Sequence, residues 1–358
     1  MLPLKPCGDR TSPPEPGHGR PLFGVFQREH SLIARQPQQK SKTGILSPGT
    51  STSFSATRAD PGDFAARRRV YCAVFGLHGF AAEYRLDTPH IAFVGAGNMA
   101  GSIIGGLLDS GHPPACLSAA DPDPRSLERL AAKAPIAVHQ DNAHAVAGAD
   151  VVVLAVKPQV MADVAKEIAA PVQEAGAVVI SVAAGITIDS LQRWLGAGAA
   201  IVRCMPNTPA LLRCGASGLY ASECVSPAQT RYAEFVLAAV GTTHWVAREQ
   251  LLDAITALSG SGPAYFFLFL EAMIDAACEL GLDRETATGL ARQTALGAAR
   301  MAIEGDVDLP ELRRRVTSPG GTTERALQSF EESGLRDTVA RAMSAAAQRA
   351  AEMSKTMG

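Results

Sequence analysis

Short apolar runs punctuate the first two thirds of the ordered-looking chain. Ile91-Ala92-Phe93-Val94 ends at Gly95, Cys116 to Ala120 ends at Asp121, and Asp150 to Val156 ends at Lys157-Pro158. Ala177 to Val182 and Ala200 to Cys204 repeat the pattern. Runs of this length bounded by turn residues predict strands buried on both faces. Between them the spacing becomes helical, as from Asn98 to about Ser110, where Gly111 stops it. Alternating strand and helix predicts a parallel sheet with helices on both sides. After about Arg248 only helical spacing remains. Pro263 to Leu280 is apolar over most of its girth, and its only charges, Glu271, Asp275 and Glu279, fall four apart in one narrow stripe. A helix apolar nearly all round is buried nearly all round. A segment running only from 249 to 358 would need a partner chain to achieve that. Further helices are expected from Arg284 to Glu304, from Pro310, from Glu324 to about Phe330, and once more before the end.

Residues 1–88 break this pattern. Stretches such as Thr11-Ser12-Pro13-Pro14 and Gln36-Pro37-Gln38-Gln39-Lys40 carry neither helical nor strand periodicity, so this extension is expected to be disordered. It reads as sequence upstream of the true start, ahead of an interaction tail or a targeting peptide. The acidic Asp60, Asp63 and Glu83 around Arg67-Arg68-Arg69 weaken the targeting reading. The expected organisation is therefore an extension over 1–88, an α/β domain over 89–248 and a helical domain over 249–358.

Composition narrows the function. The 358 residues carry a formal net charge of -2, which speaks against nucleic acid or an anionic membrane as partner. Seven scattered cysteines form no C-x-x-C pair; Cys204, Cys214 and Cys224 lie ten apart, which is not a ligand spacing. Free thiols in a reducing cytoplasm are expected, with no metal site among cysteines or histidines. No uninterrupted apolar run reaches the roughly 18 residues that span a bilayer.

Five motifs carry the chemistry. Gly95-Ala96-Gly97-Asn98-Met99-Ala100 follows a strand and opens a helix. Gly95 permits the tight turn, Gly97 admits a pyrophosphate to the backbone, and the helix N-terminus attracts the phosphates. Asp121 ends the second strand, where an acid bonds the 2′-hydroxyl of NAD and repels the 2′-phosphate of NADP, although Arg125 lies one helical turn on. Ala155-Val156-Lys157-Pro158 closes another strand, where ligands of open parallel sheets sit. Arg203-Cys204-Met205-Pro206-Asn207-Thr208-Pro209 is a rigid turn that serves either as connector or as ligand contact. Ser259-Gly260-Ser261-Gly262-Pro263-Ala264-Tyr265 places small residues before a helix-opening proline. Finally, Val316-Thr317-Ser318-Pro319-Gly320-Gly321-Thr322-Thr323-Glu324 runs a double glycine into a helix N-terminus. That entrance suits a carboxylate, unless Thr322 or Thr323 simply caps the helix.

In this order and over residues 90–355 the motifs resemble the pyrroline-5-carboxylate reductase family, and Leu312 to Thr323 is similar to that family's C-terminal signature. The resemblance implies a Rossmann-type dinucleotide-binding domain followed by an all-helical dimerisation domain. It also implies reduction of 1-pyrroline-5-carboxylate to L-proline, the last step of proline biosynthesis, by NADPH or NADH in the cytoplasm. Carried over by position, the cofactor contacts would be Val94, Gly95, Ala96, Gly97, Asn98, Met99, Asn142, Ala155, Val156, Lys157, Pro158, Val182, Ala183 and Ala184. Asp121 would join them. Substrate contacts would be Glu249, Ser318, Gly321, Thr322 and Thr323, with the last four supplied across a dimer or a multimer of dimers. Two positions depart from the pattern: Asp121 stands where some relatives carry a small hydroxyl residue, and Arg315 where some carry an amide.

A cationic imine is already electrophilic, so such a site mainly aligns nicotinamide and imine carbon and holds the carboxylate. This accounts for the lack of a catalytic dyad in the motifs. Thr256 is the candidate to bond the ring nitrogen, against the ordinary reading of a helical threonine bonded to its own backbone. Two other functions remain in view. A β-hydroxyacid-type dehydrogenase would want a lysine on the interdomain helix, and 263–280 contains none. A non-catalytic nucleotide sensor would have no use for the carboxylate loop.

Overall fold

The computed structural model describes residues 88–357. The expected disorder over 1–88 therefore falls outside the described residues, save Thr88. Eight strands form one sheet in the order β3-β2-β1-β4-β5-β6-β7-β8. They are β1 (Ile91–Val94), β2 (Leu117–Ala120), β3 (Ala137–His139), β4 (Val151–Leu154), β5 (Val178–Ser181), β6 (Ala200–Met205), β7 (Gly215–Ala221) and β8 (Gly241–Trp245). All pairs are parallel except β6 with β7. The strands expected from the sequence, β1, β2, β4, β5 and β6, are parallel as expected; the antiparallel β7 was not foreseen, and it follows β6 through a connector too short for a crossover helix.

The period of two along each strand builds two cores. Ile91, Phe93, Val151 and Val153 face α1 (Asn98–Asp109), α2 (Pro124–Ala131) and α6 (Pro227–Ala238). Ala92, Val94, Val152 and Leu154 face α4 (Met161–Ala175) and α5 (Ile188–Leu195), while α3 (Asn142–Val146) closes the β2–β3 edge. Phe93, Ile103, Leu107, Ile168, Ile180 and Leu191 are fully buried. Each contributes roughly 1.5–3 kcal/mol of transfer free energy.

The helical half consists of α7 (Leu251–Ile255), a π turn (Thr256–Gly260), α8 (Gly262–Glu279), α9 (Arg284–Glu304), α10 (Leu309–Arg315), α11 (Thr322–Glu332) and α12 (Leu335–Met357). It leaves its apolar faces uncovered. Phe266, Phe267 and Leu268 are 70%, 62% and 67% exposed, and α8 buries only Gly262. The expectation that no stretch could span a membrane is corrected on length and composition: the helical run Leu251–Glu279 is long and apolar enough to do so, although only 11% of its most apolar stretch is buried. Counting uninterrupted apolar residues missed it, because Glu271 and Asp275 interrupt the run without lowering its average enough. Contact with a second helical surface would satisfy the same face. The last helix, α12, folds back onto α7 and the π turn.

Candidate functional site

Register gathers the loops. Val94 pairs with Ala120 on one side and Leu154 on the other, and Leu154 pairs with Ser181, which pairs with Arg203. Strands aligned in this way end together. The segments Gly95–Met99, Asp121, Ala155–Pro158 and Val182–Ala184 therefore leave one carboxyl edge side by side.

Within that edge Gly95 has φ +101°, and a Cβ there would lie 2.8 Å from the Ala155 carbonyl oxygen. Only glycine lets β1 and β4 end so close together. Gly97 caps α1 without any side-chain bond, and beyond its immediate chain neighbours nothing among the described residues lies within 4 Å of where its Cβ would stand. The N-terminus of α1 therefore presents uncapped N–H groups and the positive end of its dipole at an open surface, which fits a pyrophosphate. Asp121 is tied to this loop: its Oδ2 accepts from the Ala96 N–H at 2.8 Å and its Oδ1 from the Asp123 N–H at 2.9 Å. Asn142 opens α3 and donates to Glu167 Oε2 at 2.9 Å. Lys157 precedes the 3-10 turn Pro158–Val160 in extended conformation. These residues fit a dinucleotide lying across the ends of β1, β2, β4 and β5. Among the described residues no group of three or more His, Cys, Asp or Glu is placed to hold a metal ion.

Beyond β5 and β6 the edge opens into a cavity of about 310 Å³. Ala184, Gly185 and Arg203 from the sheet, Asp253, Thr256 and Ser261 from the helical half, and Ala346, Arg349, Ala350 and Met353 of α12 line it. Thr256 Oγ1 donates to the Leu252 carbonyl at 2.7 Å, the backbone bond weighed against a ligand role. Its proton is thereby committed, and its lone pairs remain able to accept from an N–H. Arg203, 7% exposed, donates through Nη1 to Glu249 Oε1 at 2.9 Å and through Nη2 to Ser354 Oγ at 3.4 Å. The same Glu249 oxygen accepts the Ile188 N–H at 2.9 Å. Burial pushes the Asp253 carboxyl above its usual range and Glu249 adds to this, while Arg203 opposes it.

The double-glycine loop stands apart. Gly320 has φ +70° and donates its N–H to Glu324 Oε2 at 2.7 Å; Gly321 donates to the Ser318 carbonyl at 3.0 Å. A Cβ on Gly321 would press within 2.5 Å of Ser318 Oγ. Neither Thr322 nor Thr323 caps α11, whose N-cap is Gly321 with no side-chain bond. None of Ser318, Gly321, Thr322 and Thr323 lines the cavity that holds Thr256. One chain thus brings the dinucleotide edge and the Thr256 cavity together and leaves its own anion loop out.

Sequence reasoning missed Asp253 and the α12 residues, and it named Arg203 only as the start of the rigid turn after β6, open between connector and ligand contact. Arg203 did leave a signal, as a lone charge inside an apolar strand. The pairing of Arg203 with Glu249, 46 positions later, left none.

Comparison with known proteins follows the same division. Residues 249–353 match the family model described as pyrroline-5-carboxylate reductase dimerisation, and residues 90–185 match one described as NADP oxidoreductase coenzyme F420-dependent. The chain is 54% identical over 273 residues to the pyrroline-5-carboxylate reductase of Pseudomonas aeruginosa, covering 76% of this chain and all of that protein. It is 36% identical over 267 residues to the Escherichia coli enzyme of the same name, covering 74% of this chain and 98% of that one. Among solved structures it is similar to a pyrroline-5-carboxylate reductase from Coxiella burnetii, with TM-score 0.74, 45% identity, and 75% and 100% of the two chains covered. It is also similar to the Plasmodium falciparum pyrroline carboxylate reductase with NADP bound, with TM-score 0.65, 28% identity, and 74% and 98% covered.

Proposed function

The chain belongs to the pyrroline-5-carboxylate reductase family, and on that premise we propose how its residues divide the work of reducing 1-pyrroline-5-carboxylate to L-proline. It is an NAD(P)H-dependent oxidoreductase of proline biosynthesis. The observation that carries the residue assignments is the shared strand register, which sets the glycine loop, Asp121, Ala155–Pro158 and Val182–Ala184 along one edge beside the Thr256 cavity.

In this reading Gly95 to Met99 hold the pyrophosphate, Asp121 meets the adenosine ribose, and Asn142 and Lys157 flank it. Val182 to Ala184 would contact the nicotinamide half of the cofactor. A bound NAD(P)H supplies the hydride for the imine carbon. Thr256 Oγ1, its proton already given to Leu252, accepts from the ring N–H of the protonated imine and so orients the C=N bond. The substrate carboxylate is held by Ser318, Gly321, Thr322 and Thr323 of a partner subunit, because the chain's own copy of that loop lies outside the cavity. Glu249 acts from behind, through Arg203, as well as toward substrate. The 89–248 and 249–358 division follows the same logic, the first part holding cofactor and the second making the dimer. The free cysteines Cys116, Cys204, Cys214, Cys224 and Cys278 suit a cytoplasmic setting.

The test is complementation between subunits. Oxidation of NADPH or NADH on addition of pyrroline-5-carboxylate is measured for a Gly97→Val chain, a Thr323→Ala chain and their co-assembled mixture. Each variant alone should be impaired. The mixture should recover part of the activity, since one of its two sites then has both halves intact. Heterodimers that form without recovery would place the site within one chain.

A further inference from the structure

Asn207 belongs to the rigid turn after β6, whose role the sequence leaves open between connector and ligand contact. The residue is 9% exposed and both ends of its amide are used inside the protein. Oδ1 accepts the Ala216 N–H at 2.9 Å, and Nδ2 donates to the Ser259 carbonyl at 3.0 Å.

Each bond answers a specific deficit. The antiparallel ladder of β6 and β7 runs from Val202 opposite Ala221 to Met205 opposite Gly218. Continued by two residues, the register sets position 207 opposite Ala216. There the backbone has already left the sheet toward Thr208-Pro209, and the Asn207 side chain takes over as acceptor. Ser259 has the opposite need. In a helix its carbonyl would accept from the residue four on, but that residue is Pro263, which has no N–H. The next N–H, of Ala264, goes to the Ser261 carbonyl at 3.0 Å. Ser259 is thus left without a helical donor just where the chain makes a π turn, closed by Ser261 N–H to Thr256 carbonyl at 2.8 Å. Such turns occur frequently at functional sites. Met205 grips the same turn: a Cβ on Gly260 would stand 2.8 Å from its Cε.

The turn held in this way carries Thr256 and Ser261, both lining the cavity. We infer that Asn207 is a positioning residue for imine reduction: it fastens the Thr256–Ser261 turn to the sheet, and so fixes the Thr256 hydroxyl relative to the nicotinamide edge. The inference rests on the assignment of that cavity to the substrate.

The experiment compares Asn207→Asp and Asn207→Ala with the unaltered chain. The aspartate keeps the acceptor for Ala216 and sets a carboxylate against the Ser259 carbonyl; the alanine removes both bonds and buries no charge, so it carries the test alone if the aspartate variant does not fold. The expected result is a kcat lower by about tenfold to a hundredfold, as for a misplaced reacting group. KM for NADPH and NADH should stay within about threefold, because Asn207 reaches no residue of the glycine loop. Amide hydrogen exchange over 256–262 should speed up while β1, β4 and β5 stay protected. A folded variant with unchanged kcat would overturn the inference, even with lowered thermal stability. So would a loss confined to cofactor KM, or unchanged exchange over 256–262. Failure of the unaltered chain to oxidise NADPH or NADH with pyrroline-5-carboxylate would instead defeat the cavity assignment, and the exchange result would still decide whether Asn207 holds the turn.

Discussion

Replacing Glu249 by alanine separates two roles that the site gives one carboxylate. Its side chain is 17% exposed and that of Arg203 9%, with 2.9 Å between Oε1 and Nη1. Removing the carboxylate leaves the guanidinium with Ser354 Oγ at 3.4 Å and the charge of Asp253 nearby, and strips the Ile188 N–H of its acceptor at the start of α5. Breaking a buried pair from one side costs about 3–5 kcal/mol, and an orphaned backbone donor adds about 1–3 kcal/mol. The partial exposure of Glu249 lets water reach Arg203, so the expected total is at the low end, about 4 kcal/mol. Glu249→Gln keeps an acceptor for both donors and should lose only about 1–2 kcal/mol. The double change Arg203→Met with Glu249→Leu, which removes both charges, should recover much of the stability lost by Glu249→Ala but none of its activity. The assay is urea unfolding at fixed chain concentration, since assembly contributes to apparent stability, with kcat and KM for pyrroline-5-carboxylate measured on the same samples. A Glu249→Ala chain as stable as the unaltered one, with only KM raised, would refute the structural account and leave Glu249 a substrate contact alone.

Gly97→Val should abolish tight NADPH and NADH binding at nearly unchanged melting temperature, because among the described residues a Cβ there meets open space, whereas Gly95→Ala should lower the melting temperature by straining φ +101° and pressing on the Ala155 carbonyl; calorimetric titration and thermal melts distinguish the two. Asp121→Ser should raise the NADPH-to-NADH ratio of kcat/KM by about tenfold or more, because a fixed negative charge leaves the place of the 2′-phosphate; an unchanged ratio would put Asp121 away from the ribose. Burial pushes the Cys204 thiol up to about 12, so a thiol reagent at mildly alkaline pH should label the exposed Cys214 and Cys224 and spare Cys204 until the chain unfolds. The unfolded thiol ionises near 9.0 and the folded one only near 12, so the contribution of this group to stability is intact below pH 9.0 and is lost as pH rises toward 12; a flat denaturation midpoint across that window in a chain that differs from a Cys204→Ala control by nothing else would contradict it.

The strands that build the sheet centre were legible because each buries both faces and so appears as an unbroken apolar run: β1 has the expected limits, and β2, β4, β5 and β6 lie within a residue or two of theirs. The missed strands lack that signal for physical reasons. β3 has only three residues, two of them exposed, on the sheet edge. β7 carries two glycines and little bulk, and at Gly218 the space is taken by Ile255 rather than by a side chain of its own. β8 alternates only weakly between half-buried and exposed positions. The helices of the second half showed their period, with α9 spanning Arg284–Glu304 as expected, but periodicity states that a face needs cover and not what covers it. The glycine loops were readable because close approach and positive φ demand glycine locally. Arg203–Glu249 and Asn207–Ser259 were not, since each joins residues about fifty positions apart and exists only once the sheet edge meets α7.

The exposed face of α8 and the incomplete cavity share a cause. Phe266, Phe267 and Leu268, all more than half exposed, would each gain roughly 1.5–3 kcal/mol from burial, and nothing among the described residues covers them. The same chain leaves its Ser318–Thr323 loop outside the cavity that holds Thr256. In the proposed dimer one event remedies both: the partner's helices cover α8 and its loop supplies the carboxylate site. The π turn makes the connection mechanical, for α8 starts at Gly262, directly after Ser261, and Thr256 sits one turn earlier. A partner that orders α8 therefore acts on one end of a rigid rod, while Asn207 and Met205 hold the turn at the other. Small residues at Ser259-Gly260-Ser261-Gly262 fit this arrangement better than a plain helix entrance would, because the turn must lie close to the sheet on one side and to substrate on the other.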